Sequence, residues 1–273
     1  MKAFRLIILQ LTIIFLVFFY SYCQPSPLYD TIKNDIKIHL KSTIYDLKQT
    51  IISPVKWDKR EWLITGTTLG ATGLLMLYDK NINTFIHYGQ NRALDLSTKY
   101  FFKPLGATYP IAGSGILYAY GLFSKNSKLR NLGINCGKAI TLSFIIVRLP
   151  KYIAGRHRPY DDDVPDPFVF ESFYGFPRYT SFVSGHTAIA FSFATIISSE
   201  YKTNSFITII SYSLATIVAL SRVYDNEHWI SDVLPAAVIG YGIGKLVYNN
   251  SKLNINPYIS KNFRGIDLRL NIE

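Results

Sequence analysis

The sequence predicts an all-α fold, a helical bundle of about six core helices that we expect to be transmembrane. Apolar residues make up 49% of the 273 residues. Six apolar segments follow one another along the chain, and strand patterns are sparse. Because the mean hydropathy is only slightly positive, a soluble helical bundle with an aromatic core stays open as an alternative.

The six apolar segments are expected to form the core helices. Several are shorter than the roughly 20 residues that span a bilayer comfortably. Most contain Gly, Ser or Thr, which let helices pack closely in lipid and also in a soluble bundle. Their limits are roughly Trp62–Tyr78, Pro104–Phe123, Leu132–Leu149, Thr187–Ser199, Ser205–Leu220 and Trp229–Tyr248.

The segments before and after the six apolar segments show other sequence patterns. Lys2 and Arg5 precede an apolar run, as in a signal peptide or an uncleaved signal anchor. The C-terminal residues alternate like a strand from Gly265 onward, but we expect no partner strand for them. The predicted parts are 1–23 (signal peptide or anchor), 24–60 (peripheral helical segment), 61–249 (helical-bundle domain) and 250–273 (C-terminal extension).

The net charge of +11 is spread along the chain. A positive surface suits anionic headgroups or phosphate esters, and no nucleic-acid-binding motif is present, so nucleic acid is not an expected partner. Cys23 and Cys136 form no Cys-x-x-Cys pair and predict no disulfide framework. The run Asp161-Asp162-Asp163 lacks the spacing of a calcium loop and is expected to be a solvated loop.

Three clusters of residues carry side chains suited to catalysis or ligand binding. The first follows the third apolar segment. It reads Lys151-Tyr-Ile-Ala-Gly-Arg-His-Arg158-Pro159. Lysine and arginine side chains suit phosphate oxygens, and arginine can bind two oxygens at once. A basic loop flanking a membrane is the alternative explanation.

The second cluster, Ser184-Gly185-His186, begins the fourth apolar segment. Ser184 is positioned to cap a helix whose first N–H groups would face an anion. His186 is a candidate proton donor there. An ordinary helix cap with an interfacial histidine is the alternative.

The third cluster contains Ser221, Arg222, His228 and Asp232. On a helix, the last two residues would share one face because they are four positions apart. A carboxylate that accepts one imidazole N–H fixes the tautomer and leaves the other nitrogen free to attack. Asp232 also lies in an apolar segment, where a carboxylate is costly and needs a partner or a task.

The order of the clusters predicts that they meet. The first ends segment three, the second begins segment four, and the third lies between segments five and six. If these segments run antiparallel, all three clusters lie at the same end of the bundle.

The three clusters together resemble the signature of the type 2 phosphatidic acid phosphatase superfamily, which includes class A acid phosphatases and vanadium haloperoxidases. The spacing within each motif is unbroken. Val183 is the one departure, because the family usually has Pro before Ser-Gly-His. The resemblance covers about residues 145–247.

The resemblance implies a role for each position and requires no metal or cofactor. His228 would attack phosphorus, Asp232 would orient it, and His186 would protonate the leaving alkoxide. The phosphoryl oxygens would be held by Lys151, Arg158, Arg222, the Ser184 hydroxyl and the Gly185 N–H.

We therefore expect a phosphoric ester hydrolase, a metal-independent phosphatase that acts on a phosphomonoester or diphosphate of a lipid through a phosphohistidine. A soluble exported acid phosphatase of broad specificity is the main enzyme alternative. A non-catalytic membrane binding or transport protein is the alternative from another class. The headgroup, the lipid chain and the oligomeric state are not predicted.

We expect a bacterial inner-membrane protein whose site faces the periplasm, with an exported soluble protein as the alternative. Positive residues favour the cytoplasm. The end of the bundle opposite the clusters carries Lys56, Lys59, Lys125, Lys128 and Lys202. Lys80, Arg92, Lys99 and Lys103 lie on the cluster side, so the charge bias is modest.

Overall fold

The computed structural model describes residues 27–174, 176–260 and 263–270. The predicted signal segment, 1–23, lies outside these ranges. The chain divides into two compact units, 1–45 and 46–273, and the features below belong to the second, apart from the part of the first helix that precedes residue 46.

The described residues are mainly helical, which confirms the all-α prediction. Each of the six predicted apolar segments lies on helices. A 3₁₀ turn, Ser53–Lys56, follows the first helix, and a π-helical turn, Thr98–Phe102, joins the third to the fourth. The helices are α1 Pro27–Ile52, α2 Lys59–Tyr88, α3 Arg92–Ser97, α4 Lys103–Leu105, α5 Thr108–Phe123, α6 Ser127–Ile146, α7 Arg148–Ala154, α8 Gly185–Glu200, α9 Ser205–Tyr224 and α10 Ile230–Lys252.

A β-hairpin follows α10. Strand β1, Leu253–Ser260, pairs antiparallel with β2, Phe263–Leu270. The expectation that the alternating C-terminal segment has no partner strand is therefore wrong. The signal for β1 is weak in sequence because Pro257, which cannot donate to a ladder, interrupts its alternation.

Polar caps explain where several helices begin. Asp58 accepts hydrogen bonds from the N–H groups of Arg60 and Glu61 at 2.8 and 3.0 Å, and the Glu61 carboxylate accepts from the Asp58 N–H at 2.9 Å. This capping box starts α2. The side chains of Asn126 and Asn204 cap α6 and α9 by accepting hydrogen bonds from N–H groups of the first turn.

Helix α8 packs against α6, α9 and α10. Its Ile196 is fully buried in a cluster with Cys136 and Leu142 of α6 and with Ile243 and Val247 of α10. Cys136 is thus a buried free cysteine. Apolar contact between these helices fixes the ends from which the three clusters project.

A buried ion pair lies in the same unit. Lys138 of α6 is 2.6 Å from Asp46 of α1, and both side chains are at most 7% exposed. The Asn250 amide of α10 donates to the same carboxylate at 2.8 Å. The C-terminal part of α1 is thus tied to α6 by an ion pair and to α10 by a hydrogen bond.

Three stretches among the described residues are long and apolar enough to cross a membrane, judged by length and composition. They are Ser127–Ala154, Ser205–Tyr224 and Ile230–Lys252. The other predicted apolar segments do not meet both criteria.

Glycines let α8 and α10 approach closely. A Cβ on Gly240 would overlap the Ala188 carbonyl oxygen, and one on Gly244 would lie 2.6 Å from the Thr195 Cβ. A Cβ on Gly242, by contrast, would meet no atom within 4 Å. Two of these three glycines are therefore required by packing.

We predict that Gly240→Ala destabilises the protein by about 1–3 kcal/mol, because the added methyl group overfills the α8–α10 contact. The matched control, Gly242→Ala, should be neutral or stabilising by up to about 1 kcal/mol, because alanine favours a helix more than glycine does. Thermal unfolding of both variants in detergent measures the difference. Equal unfolding temperatures would contradict the close approach.

Candidate active site

The three sequence clusters meet beside the start of α8. The Ser184 N–H donates to the Asp232 carbonyl at 3.2 Å and joins the second cluster to the third. The Trp229 indole N–H donates to the His157 carbonyl at 2.9 Å and joins the third cluster to the first. The structure thus brings together residues that are far apart in sequence.

His228 and Asp232 lie close together, although only Asp232 is helical. His228 belongs to the loop between α9 and α10, and α10 begins at Ile230. The two residues therefore do not share a helical face. The His228 Nδ1 lies 3.7 Å from the Asp232 Oδ2, which is within the range of an ion pair but longer than a hydrogen bond.

Other groups fix the Asp232 carboxylate. Its Oδ1 accepts from the Arg156 Nη1 at 2.6 Å. Its Oδ2 accepts from the Ser181 hydroxyl at 2.5 Å and from the Trp229 N–H at 2.9 Å. The carboxylate has no exposed surface. The three donors therefore fix its position and stabilise its negative charge.

Two predicted phosphate-binding cations share Thr180 as a neighbour. The buried Lys151 ammonium donates to the Thr180 carbonyl. The Arg158 guanidinium donates to the Thr180 hydroxyl at 3.2 Å and forms an ion pair with Glu227. Glu227 also lies 3.5 Å from the Lys103 ammonium.

Arg222, the third predicted cation, is fully buried at the end of α9. Its Nη2 pairs with Asp225, and its Nε and Nη2 lie 3.3 and 3.2 Å from the Ser221 hydroxyl. Its Nη1 has no hydrogen-bond partner within the described part of the chain. This nitrogen is a buried donor available to an acceptor that enters the site.

The start of α8 carries the second cluster. Ser184 is the N-cap, as predicted, and its hydroxyl oxygen accepts from the Thr187 N–H at 3.5 Å and from the Thr187 hydroxyl at 2.9 Å. His186, in the first turn, packs against Gly106, where a Cβ would lie 2.8 Å from the imidazole. A Cβ on Gly185 would meet only Val147, at 3.8 Å, so close packing is not the reason for glycine at this position.

Gly155 allows the first cluster to turn into the site. It ends α7 with a φ of +57°, a left-handed conformation that favours glycine. A Cβ there would overlap the Glu171 carbonyl oxygen. The turn places the next residue, Arg156, in an isolated β-bridge with Phe170.

The pKa of His228 is lowered to about 4, because burial and the positive charges of Lys151 and Arg158 together outweigh the opposing effect of Asp232. The imidazole is therefore neutral near pH 7. Burial raises the pKa of Glu227, but Arg158 and Lys103 outweigh burial and hold that pKa below its usual range. Glu227 is therefore charged near pH 7.

The sequence analysis missed the roles of two buried residues, Arg156 and Asp79. Arg156, inside the first cluster, is fully buried and bonds to Asp79, Ser231 and Asp232. Asp79 lies on α2, far from the three clusters in sequence. The sequence did contain an indication of its role. Asp79 directly follows an apolar segment, and a carboxylate at such a position needs a partner.

Acidic residues near the clusters were also underestimated. Asp225 and Glu227 bind two of the three predicted phosphate-holding cations. Asp162 lies 2.9 Å from the His157 Nδ1, and Asp161 accepts from the Arg158 N–H at 2.7 Å. These residues lie in a loop, as predicted, but Asp161 and Asp162 are only partly exposed, and their carboxylates form hydrogen bonds within it.

A polar cleft of about 400 Å³ opens beside the site. Asp225 and Glu227 form part of its wall, together with Gln90, Lys99 and Lys103. Within the described ranges, no group of three His, Cys, Asp or Glu side chains is placed to hold a metal ion.

Comparison with known proteins identifies similar chains. A Porphyromonas gingivalis lipid A 1-phosphatase is 38% identical over 85 residues, which are 31% of this chain and 19% of that protein. The lipid A 4′-phosphatase of the same organism is 36% identical over 67 residues, 24% of this chain and 28% of that protein. A PA-phosphatase related-family protein from Dictyostelium discoideum is 28% identical over 160 residues, 54% of this chain and 57% of that protein.

These alignments thus span between about a fifth and just over half of each relative's length. The crystal structure of Aquifex aeolicus LpxE aligns with a TM-score of 0.48 and 25% identity, covering 63% of this chain and 94% of that one. The apolar helices and these relatives together indicate a membrane protein.

The family model of the PAP2 superfamily matches residues 133–255, a range that contains all three clusters. This region is therefore similar to the PAP2 superfamily, the type 2 phosphatidic acid phosphatases, as the resemblance of its clusters predicted.

Proposed function

We propose that this protein is a metal-independent phosphatase that hydrolyses a lipid phosphate or diphosphate through a phosphohistidine on His228. The observation that carries the proposal is the buried, neutral His228 imidazole, whose Nδ1 lies 3.7 Å from the fixed Asp232 carboxylate. Asp232 favours the tautomer with a proton on Nδ1, which leaves the Nε2 lone pair to attack phosphorus.

The reaction would proceed in two steps. In the first, a bond forms between the His228 Nε2 and phosphorus, the bond from phosphorus to the lipid oxygen breaks, and His186 gives a proton to that oxygen. Burial and the positive charge of Arg222 lower the pKa of His186 to about 3, so the negative charge of the bound phosphate would have to raise this pKa for His186 to carry the proton. In the second, water attacks phosphorus, His186 accepts its proton, and His228 is released with inorganic phosphate. Positioning and charge stabilisation supply most of the catalysis in such transfers.

Lys151, Arg158 and Arg222 would neutralise the phosphoryl oxygens. Arg158 and Arg222 are paired with Glu227 and Asp225. An entering phosphate would compete with these carboxylates, and the Arg222 Nη1, which has no hydrogen-bond partner among the described residues, would be a donor for it. Gly185 leaves room for an oxygen near the start of α8, where a hydroxyl and N–H groups favour an anion.

A phosphorylated glycolipid of the lipid A type is the leading candidate substrate. Two relatives carry lipid A phosphatase names. The cleft beside Glu227 is polar and has a volume of about 400 Å³, which suits a hydrophilic headgroup. The apolar helices support a site at a membrane, where the lipid chains could stay in the bilayer. We further propose that residues 61–249 form the phosphatase domain.

We predict that the purified protein releases phosphate from a lipid phosphate in EDTA and that His228→Ala lowers this rate by roughly 10³-fold or more, because the nucleophile is lost. A panel of lipid A, phosphatidate and polyprenyl diphosphate, with released phosphate as the readout, also identifies the headgroup. In the wild type, a rapid alkaline quench should trap an acid-labile phosphate on His228.

His87→Ala is the matched control, because His87 is an exposed histidine outside the site. It should keep the wild-type rate. Undiminished phosphate release by the His228→Ala variant would exclude the mechanism.

We also predict inhibition by vanadate, which mimics five-coordinate phosphorus, and tighter inhibition of a Glu227→Gln variant. Removing the Glu227 charge frees Arg158 for the anion, so the vanadate Ki should fall about two- to tenfold. Inhibition of lipid-phosphate hydrolysis is the measurement.

Asp163→Asn removes an exposed carboxylate from the neighbouring loop and should leave this Ki unchanged. A higher Ki for Glu227→Gln would mean that Glu227 supports anion binding instead of competing with it.

We propose that the site faces the periplasm from a bacterial inner membrane. The export signal predicted for residues 1–23 and the lysines predicted for the opposite end of the bundle support this orientation. In a cysteine-free background, Asp163→Cys should then react with a membrane-impermeant maleimide in intact cells, whereas Lys202→Cys should react only after lysis. The reverse labelling pattern would place the site in the cytoplasm.

A further inference from the structure

Asp79 is a buried carboxylate on α2, outside the region that matches the family model. Its side chain is 1% exposed. Its Oδ2 accepts from the Arg156 Nη2 at 2.7 Å. Its Oδ1 accepts from the Ser231 N–H at 3.0 Å, and the Ser231 hydroxyl donates to Oδ2. Both of its partners lie in or beside the clusters.

Arg156 connects Asp79 to Asp232. Its Nη1 donates to the Asp232 Oδ1 at 2.6 Å and to the Ser231 hydroxyl at 2.7 Å. The Pro167 carbonyl accepts from its Nε and Nη2 at 3.0 and 2.8 Å. The flat guanidinium is therefore held between two carboxylates, with little freedom to rotate.

The charges in this network are unequal, because one guanidinium faces two carboxylates. Such an arrangement in a fully buried position is costly unless every group is hydrogen-bonded. Without Asp79, Arg156 would be free to turn toward Asp232 and to neutralise it more completely. Asp232 would then stabilise positive charge on His228 less well during attack on phosphorus.

Resting on the phosphatase function proposed above, we propose that Asp79 is a positioning residue that orients Asp232, and through it His228, by holding Arg156 and Ser231. Asp79 does not touch the phosphoryl group in this arrangement. Its partners are also distinct from Lys151, Arg158 and Arg222, so its contribution falls on the chemical step and leaves substrate binding unchanged.

The test compares Asp79→Asn with the wild type in the purified full-length protein. Asparagine keeps the shape and an acceptor for the Ser231 N–H but removes the charge. We expect kcat to fall about 10- to 100-fold, as is typical when a partner that orients an active-site group is lost, while KM and the vanadate Ki change by less than about threefold. Thr72→Val alters a buried residue on the same helix and should leave kcat unchanged.

Two further readouts separate positioning from structural damage. The acid limb of the pH profile of kcat/KM reports His228 in the free enzyme. The limb should move to lower pH in Asp79→Asn, because losing a nearby negative charge disfavours the imidazolium. A mere loss of folded protein lowers the rate without moving the limb.

The second readout is a double-mutant cycle with Asp232→Asn. If Asp79 acts through Asp232, adding Asp79→Asn to Asp232→Asn should cost less than about twofold. The same fold loss in both backgrounds would overturn the proposal. A folded Asp79→Asn protein with kcat within twofold of the wild type would overturn it as well.

If the Asp79→Asn variant does not fold, the Ser231→Ala variant tests the positioning role instead. This variant removes one hydroxyl bridge and leaves all three charges in place, so kcat should fall several-fold with KM unchanged. An unaltered kcat would reject the positioning role. The wild-type rate is measured first. If the wild type releases no phosphate from any lipid phosphate, the proposed function is rejected. If the wild type is active and the variant is equally active, only the role of Asp79 is rejected.

Discussion

The buried ion pair between Arg156 and Asp232 is the interaction on which the site depends. It joins the first cluster to the third at 2.6 Å with neither side chain exposed. Removing one partner of such a pair typically costs about 3–5 kcal/mol, because the other is left as an uncompensated buried charge. Any conformation of the loop before α8 that withdraws Arg156 is therefore unfavourable.

This constraint explains how a short loop can present His228 reproducibly. The loop between α9 and α10 is closed by the Arg222 carbonyl, which accepts from the N–H groups of Glu227 and His228 at 3.1 and 3.2 Å. It is fastened from α2 by the Asn83 amide, which donates to Asn226 at 2.6 Å. With Asp232 fixed on the other side, His228 is held by backbone bonds and not by a helix.

The sequence allowed the helices and the meeting of the clusters to be predicted, because apolar periodicity and motif order are local signals. It did not allow the partners of the clusters to be predicted. Asp79 is distant in sequence, and nothing local shows that its carboxylate meets Arg156. The position of His228 was missed for a related reason: spacing alone does not reveal that α10 begins at Ile230.

The carboxylates of Asp225 and Glu227 show how the proposed phosphate site can be stable without phosphate. A buried guanidinium such as that of Arg222 carries a large desolvation cost when it has no anion. Counter-ions on the loop that ends in His228 relieve this cost, and the same counter-ions weaken the attraction for a phosphate. The affinity of the proposed site would therefore be a difference between two anions competing for Arg158 and Arg222. The three equatorial oxygens of a transferring phosphoryl group share its charge in the transition state, so these cations would accelerate the reaction by holding those oxygens more strongly there than in the bound substrate.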